Sequence, residues 1–153
     1  MSKTNLLSIF IISSLLSACG FHVPKNSAPI NASVTGDVNS LFITEFKKHL
    51  DASAMPSLQL EIGNEVQTNQ TAAYKKNGDS SSYTLTLSVP IKVLRAQKVL
   101  LSKNLTTSIT VRKLSTLRSK SQADKLQIKR SFSQLRETLA TKLLRILQHL
   151  NAN

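Results

Sequence analysis

The chain has 153 residues, room for a single domain behind a leader segment. Its 20 Lys and Arg outnumber 8 Asp and Glu, a net charge of +12, which points to a polyanionic partner or to a solvated basic surface. A single cysteine excludes a disulfide within the monomer, and no segment past residue 20 is long and apolar enough to cross a bilayer.

Lys3 is the only charge before residue 22, and an apolar run from Leu6 to Ala18 follows it. That run is shorter than the roughly 20 residues a bilayer span needs, so the segment reads as a secretory signal. It closes on Leu16-Ser17-Ala18-Cys19, a branched apolar residue, two small residues and a cysteine, which is the lipobox pattern. The expectation is a leader of residues 1–18, cleaved before Cys19, and a mature domain of residues 19–153. Cys19 would carry a covalent N-acyl diacylglycerol, and two or three acyl chains make such anchoring stable where one does not. Gly20 stands where an inner-membrane lipoprotein commonly has Asp, which favours the outer membrane and its periplasmic side. Export also removes nucleic acid from the candidate polyanions and leaves lipid phosphates, lipopolysaccharide, anionic glycans and acidic proteins.

Residues 20–38 read as a linker rich in Ser, Asn and Pro, with one weak strand near Ala28–Val34. Asn39 or Ser40 can cap a helix over about 40–52, whose apolar stripe is Phe42, Phe46 and Leu50 and which Met55-Pro56 ends. Leu58, Leu60 and Ile62 then alternate with polar residues, starting a strand that continues with a weaker pattern to about Tyr74. Residues 75–79 contain Asn77-Gly78 and predict a turn. Tyr83, Leu85, Leu87, Val89, Ile91 and Val93 share one face of a second long strand; Pro90 cannot donate to a ladder and predicts a bulge or break. After a turn at 95–98, Val99, Leu101, Leu105, Ile109 and Val111 line a third strand, with Thr106, Ser108 and Thr110 on its other face. Ser121 precedes a long helix whose stripe is Ile128, Phe132, Leu135, Leu139, Leu143, Ile146 and Leu150. The fold class is therefore α+β, a two-layer sandwich with two helices on one face of a three- to four-stranded, mainly antiparallel sheet.

Cys19-Gly20-Phe21-His22, Pro56-Ser57-Leu58-Gln59-Leu60, and Asn77-Gly78 followed by Tyr83 occur in an order that resembles the lipopolysaccharide-assembly lipoprotein family, LptE or RlpB. The resemblance covers nearly all of the mature chain. It implies a one-to-one plug inside an LptD-type outer-membrane β-barrel, a role in delivering lipopolysaccharide to the outer leaflet, and no cofactor beyond the lipid on Cys19. It also puts Lys76 and Lys120 where the family keeps basic residues.

Strand direction brings the 75–79 turn to the end of the sheet where the third strand finishes. Lys75, Lys76, Arg112, Lys113, Arg118 and Lys120 are thus the candidate lipopolysaccharide-binding residues, with Lys125 nearby and Asp79 and Asp124 opposing them. Clustered Lys and Arg suit lipid phosphates, and they suit solvent as well. His22, His49 and His149 are scattered and the carboxylates form no pair, so neither catalysis nor a metal site is expected. The alternative function is a periplasm-facing lipoprotein that binds another anionic glycan or lipid.

Overall fold

A computed structural model of the chain describes residues 30–113 and 121–152. In order these form β1 (Ala32–Gly36), α1 (Leu41–Lys47), β2 (Leu58–Ile62), β3 (Val66–Tyr74), β4 (Ser80–Arg95), β5 (Lys98–Arg112) and α2 (Ser121–Ala152). The architecture is α+β, a mostly antiparallel open sheet with two helices.

The β4 strand is the spine. Leu85, Leu87, Val89, Ile91 and Val93 are all buried along one face, as a period of two requires. On one side β4 pairs with β5 along nearly its whole length, from Ser82 opposite Arg112 to Arg95 opposite Lys98. On the other side it carries two strands end to end. β2 pairs with its C-terminal part, Ile62 opposite Ile91, and β3 with its N-terminal part, Val66 opposite Ser88. β1 adds outside β2 in parallel, Ala32 opposite Leu58.

Among the described residues the sheet therefore has five strands where three to four were expected. The strand predicted over 58–74 is divided at Gly63-Asn64-Glu65, opposite Pro90, while β4 itself runs through unbroken. The Gly63 N–H donates to the Pro90 carbonyl at 2.9 Å, so the missing proline donor faces the same side. The β5 ladder loses nothing, and the opposite lane absorbs the defect by inserting one extra residue. Gly63 suits the position, because a Cβ there would lie 3.1 Å from Pro90 Cγ.

Three further differences have local causes. The weak strand expected near 28–34 is β1, shifted to Ala32–Gly36. Helix α1 is shorter than 40–52: Ser40 Oγ caps it by accepting from the Ile43 N–H, but the amides of Lys48, His49 and Leu50 bond three residues back, and the Asp51 N–H donates to Ile30 O at 3.0 Å. In β5 a register shift pairs Val93 with Leu101 and Leu94 with Val99, leaving Leu100 extra, so Val99 is exposed and Leu100 half-buried against the core.

One apolar cluster joins β2, β4 and β5 to Phe42, Ile43 and Phe46 of α1 and to Phe132, Leu135, Leu139 and Leu143 of α2. Both helices thus cover the same face of the sheet. The α2 stripe follows its predicted spacing except that Leu147 is fully buried where Ile146 is half-buried. Each fully buried Leu or Phe contributes about 1.5–3 kcal/mol of transfer free energy. The opposite sheet face is hydroxylic, with Ser88 and Thr106 side chains 3.0 Å apart and Thr84 and Thr110 3.3 Å apart. No described helix is long and apolar enough to cross a membrane.

Candidate functional site

Two turns fix the poles of the domain. At one pole the loop 75–79 joins β3 to β4. The Lys75 N–H donates to Asp79 O at 2.7 Å, the Gly78 N–H donates to Lys75 O at 3.0 Å, and Gly78 takes a φ of 84°. Asn77 Nδ2 donates to the Asp79 carboxylate at 2.8 Å, which occupies part of the one acidic group in the loop. At the other pole the β4–β5 connection is a two-residue turn through Ala96 and Gln97.

The end of β5 returns to the first pole. Arg112 sits opposite Ser82, the Lys113 N–H donates to Ser81 O at 2.9 Å, and Lys113 Nζ lies 3.4 Å from Ser80 Oγ. Four of the expected residues, Lys75, Lys76, Arg112 and Lys113, are therefore brought to one end of the sheet, as strand direction predicted. Lys75, Lys76 and Arg112 are exposed, and Lys113 is half-buried. Cys19, Arg118 and Lys120 lie outside the described residues. The first residues of α2 follow that connection, and Lys125 is exposed on its second turn.

Exposed cations of this kind act as a group. Each pair contributes about 0–1 kcal/mol and is screened by salt. A ligand with several phosphates engages several at once, which a monovalent ion cannot do. Among the described residues no cluster of three His, Cys, Asp or Glu could hold a metal ion.

No family model matches the chain, and no curated protein matches it. Solved structures do. Rare lipoprotein B from Shewanella oneidensis superposes with a TM-score of 0.63 at 15% identity, covering 80% of this chain and 96% of that one. Lipoprotein B from Nitrosomonas europaea gives 0.62 at 10% identity, covering 82% and 86%. A minor lipoprotein from Acinetobacter baumannii gives 0.56 at 15% identity, covering 81% and 94%. The chain has the rare lipoprotein B fold. At these identities the likeness is one of architecture, and it spans most of each structure.

A second feature was not anticipated from the sequence. A cleft of about 620 Å³ opens between α1 and the N-terminal half of α2. Leu41, Ile128 and Phe132 give it apolar surface, Lys125 and Lys129 give it charge, and Gln67 of β3 forms part of its wall. Two ion pairs border it, Lys48–Glu45 at 2.7 Å and Arg136–Glu65 at 2.6 Å. Arg136 is not part of the apolar stripe of α2, yet it is buried, because Glu65 from the β2–β3 junction reaches it. The signal for the cleft is the weak alternation after Ile62. Gln67, Asn69 and Thr71 stand opposite the buried or half-buried Leu87, Leu85 and Tyr83, yet all three are polar and exposed, so the helices leave that part of the sheet uncovered.

Proposed function

We propose that this chain is an outer-membrane lipoprotein, lipidated on Cys19, that plugs an LptD-type β-barrel one to one and helps deliver lipopolysaccharide to the outer leaflet. The observation that carries this reading is the shared architecture with rare lipoprotein B over most of both chains, behind a lipobox and Cys19-Gly20-Phe21-His22. The hydroxyl-rich outer sheet face fits a wet interface in a polar lumen. The basic pole formed by Lys75, Lys76, Arg112 and Lys113, together with Arg118 and Lys120 of the segment that follows in sequence, is the proposed contact for the phosphates of lipid A. The role is one of binding and assembly, with no chemical step.

Two measurements test the reading. Mild detergent extraction of the lipoprotein should bring down a large outer-membrane barrel in equimolar amount; recovery of the lipoprotein alone with the barrel present would reject the plug. In lipopolysaccharide titrations, Lys76→Asp with Lys120→Asp should weaken binding more than Lys98→Asp with Lys103→Asp, and the difference should shrink as salt rises. Arg95 is unsuitable as the control because its guanidinium donates to Leu150 O at 2.5 Å. Equal losses from both pairs would mean general charge attraction and would favour the broader class of anionic glycans or lipids.

A further inference from the structure

The outer lane of the sheet is half filled. β1 lies in it beside β2, then ends at Gly36, opposite Ile62, where the chain leaves for α1. Beyond that point β3 continues the sheet along the same side of β4, and no described strand pairs with its outer edge. All nine β3 residues are exposed, and the run Val66-Gln67-Thr68-Asn69-Gln70-Thr71 pairs with β4 in unbroken register. Natural edge strands are blunted by charge, proline or a bulge. This run has no charge and no proline, and its irregularities begin only after Thr71. Among the described residues no strand pairs with its outer N–H and C=O groups, which form a template for one.

The cleft adjoins this lane on the helix side, since Gln67 belongs to both. Side chains of one parity on a strand in the lane would face the cleft, toward the apolar surface of Ile128 and Phe132 and the cations Lys125 and Lys129. The other two cations of the cleft, Lys48 and Arg136, already have Glu45 and Glu65. A second copy of this chain is a poor occupant. Antiparallel pairing of two β3 edges would bring two such basic clefts together, in a chain with a net charge of +12.

We propose that the β3 edge and the adjoining cleft form a docking site for an extended segment of a partner protein, paired by its backbone to Val66–Thr71, with acidic and apolar side chains turned to the cleft. Backbone pairing supplies the affinity and the cleft supplies the choice of sequence. The site adjoins the basic pole, since Thr71 pairs with Tyr83 next to the Ser82–Arg112 pair and Lys125 stands between the two, so its test is run without lipopolysaccharide.

The test uses the full-length protein in detergent and a short capped peptide alternating glutamate and valine with threonine, at fixed low salt. Binding is followed by calorimetry and by hydrogen exchange of the β3 amides. The expected result is saturable binding with slowed exchange between Val66 and Thr71. An analogue N-methylated at alternate amides, which cannot pair along its length, should lose that protection and most of the affinity. Lys125→Glu with Lys129→Glu, both exposed on α2, should weaken binding about tenfold while the far-ultraviolet circular dichroism is unchanged. Equal binding of the methylated and unmethylated peptides would reduce the effect to charge attraction and overturn the proposal. Absence of binding would overturn it, and so would a sedimenting dimer cross-linked through β3.

Discussion

Glu65, in the break opposite Pro90, accepts two hydrogen bonds from the Arg136 guanidinium, from Nε at 2.9 Å and from Nη2 at 2.6 Å. The same carboxylate accepts from Gln67 Nε2 at 2.6 Å and from the Phe42 N–H. One side chain thus joins the β2–β3 junction to both helices. The two side chains are 16% and 9% exposed, so removing one leaves the other largely desolvated. Glu65→Ala should cost about 3 kcal/mol in urea unfolding, and Glu65→Gln with Arg136→Met should recover part of that loss. Additive losses in the double variant would contradict a coupled pair.

The same pair has a pH signature. The Arg136 hydrogen bond holds the Glu65 carboxyl below its usual 4.5, outweighing the opposing effect of burial. In the unfolded chain that partner is lost and the carboxyl returns toward its usual value. The stabilisation is therefore complete above pH 4.5 and disappears as pH falls through the lower, folded value. Wild-type stability should drop across that window more steeply than that of Glu65→Gln, measured by urea midpoints at a series of pH values.

Two glycines should respond differently to alanine. At Gly36, φ is 154° and a Cβ would stand 2.5 Å from Ile62 O and 2.7 Å from Ile43 Cδ1, so the β1 end and α1 must both shift. At Gly78, φ is 84° but nothing lies within 4 Å of the Cβ position. Gly78→Ala should cost about 1 kcal/mol of backbone strain, and Gly36→Ala clearly more, by thermal denaturation.

The turn at Ala96 and Gln97 places two ordinary residues at φ of 47° and 67°. Both positive angles are what a two-residue hairpin needs, and Asn-Gly meets the need at lower cost. Ala96→Asn with Gln97→Gly should raise stability by about 1 kcal/mol, read as an upward shift in the unfolding midpoint.

Leu139 is fully buried in the middle of the α2 stripe. Leu139→Ala should lower the unfolding free energy by about 2–5 kcal/mol, with the spread set by how far the site collapses. An unchanged midpoint would mean that α2 does not pack on the sheet.

The legible parts of this fold were those with an unambiguous period. Leu85, Leu87, Val89, Ile91 and Val93 alternate with Thr86, Ser88, Pro90 and Lys92, and Phe132 to Leu143 recur at helical spacing, so β4 and α2 followed directly. The convergence of Lys75, Lys76, Arg112 and Lys113 followed from strand direction alone. What escaped was non-local. Pro90 announced a ladder defect, but its effect falls on the neighbouring lane, because the direction of its missing N–H is fixed only once register is known. Arg136 is buried by a carboxylate from a distant junction, which no local pattern in α2 announces. The cleft escaped because no local pattern says that a sheet face is left without a cover.

The β4 strand and the α2 helix have matched lengths. Sixteen strand residues extend about 50 Å and thirty-two helical residues about 48 Å, so each runs from one pole to the other. Bound together through Leu135, Leu139 and Leu143, and tied at the far end by Arg95 on Leu150 O, they make a strut with no hinge along it. A push on the Ala96–Gln97 corner would therefore arrive at Lys75 and Lys113 as displacement of the whole body, and the domain would swing as a rigid lever about whatever grips its middle.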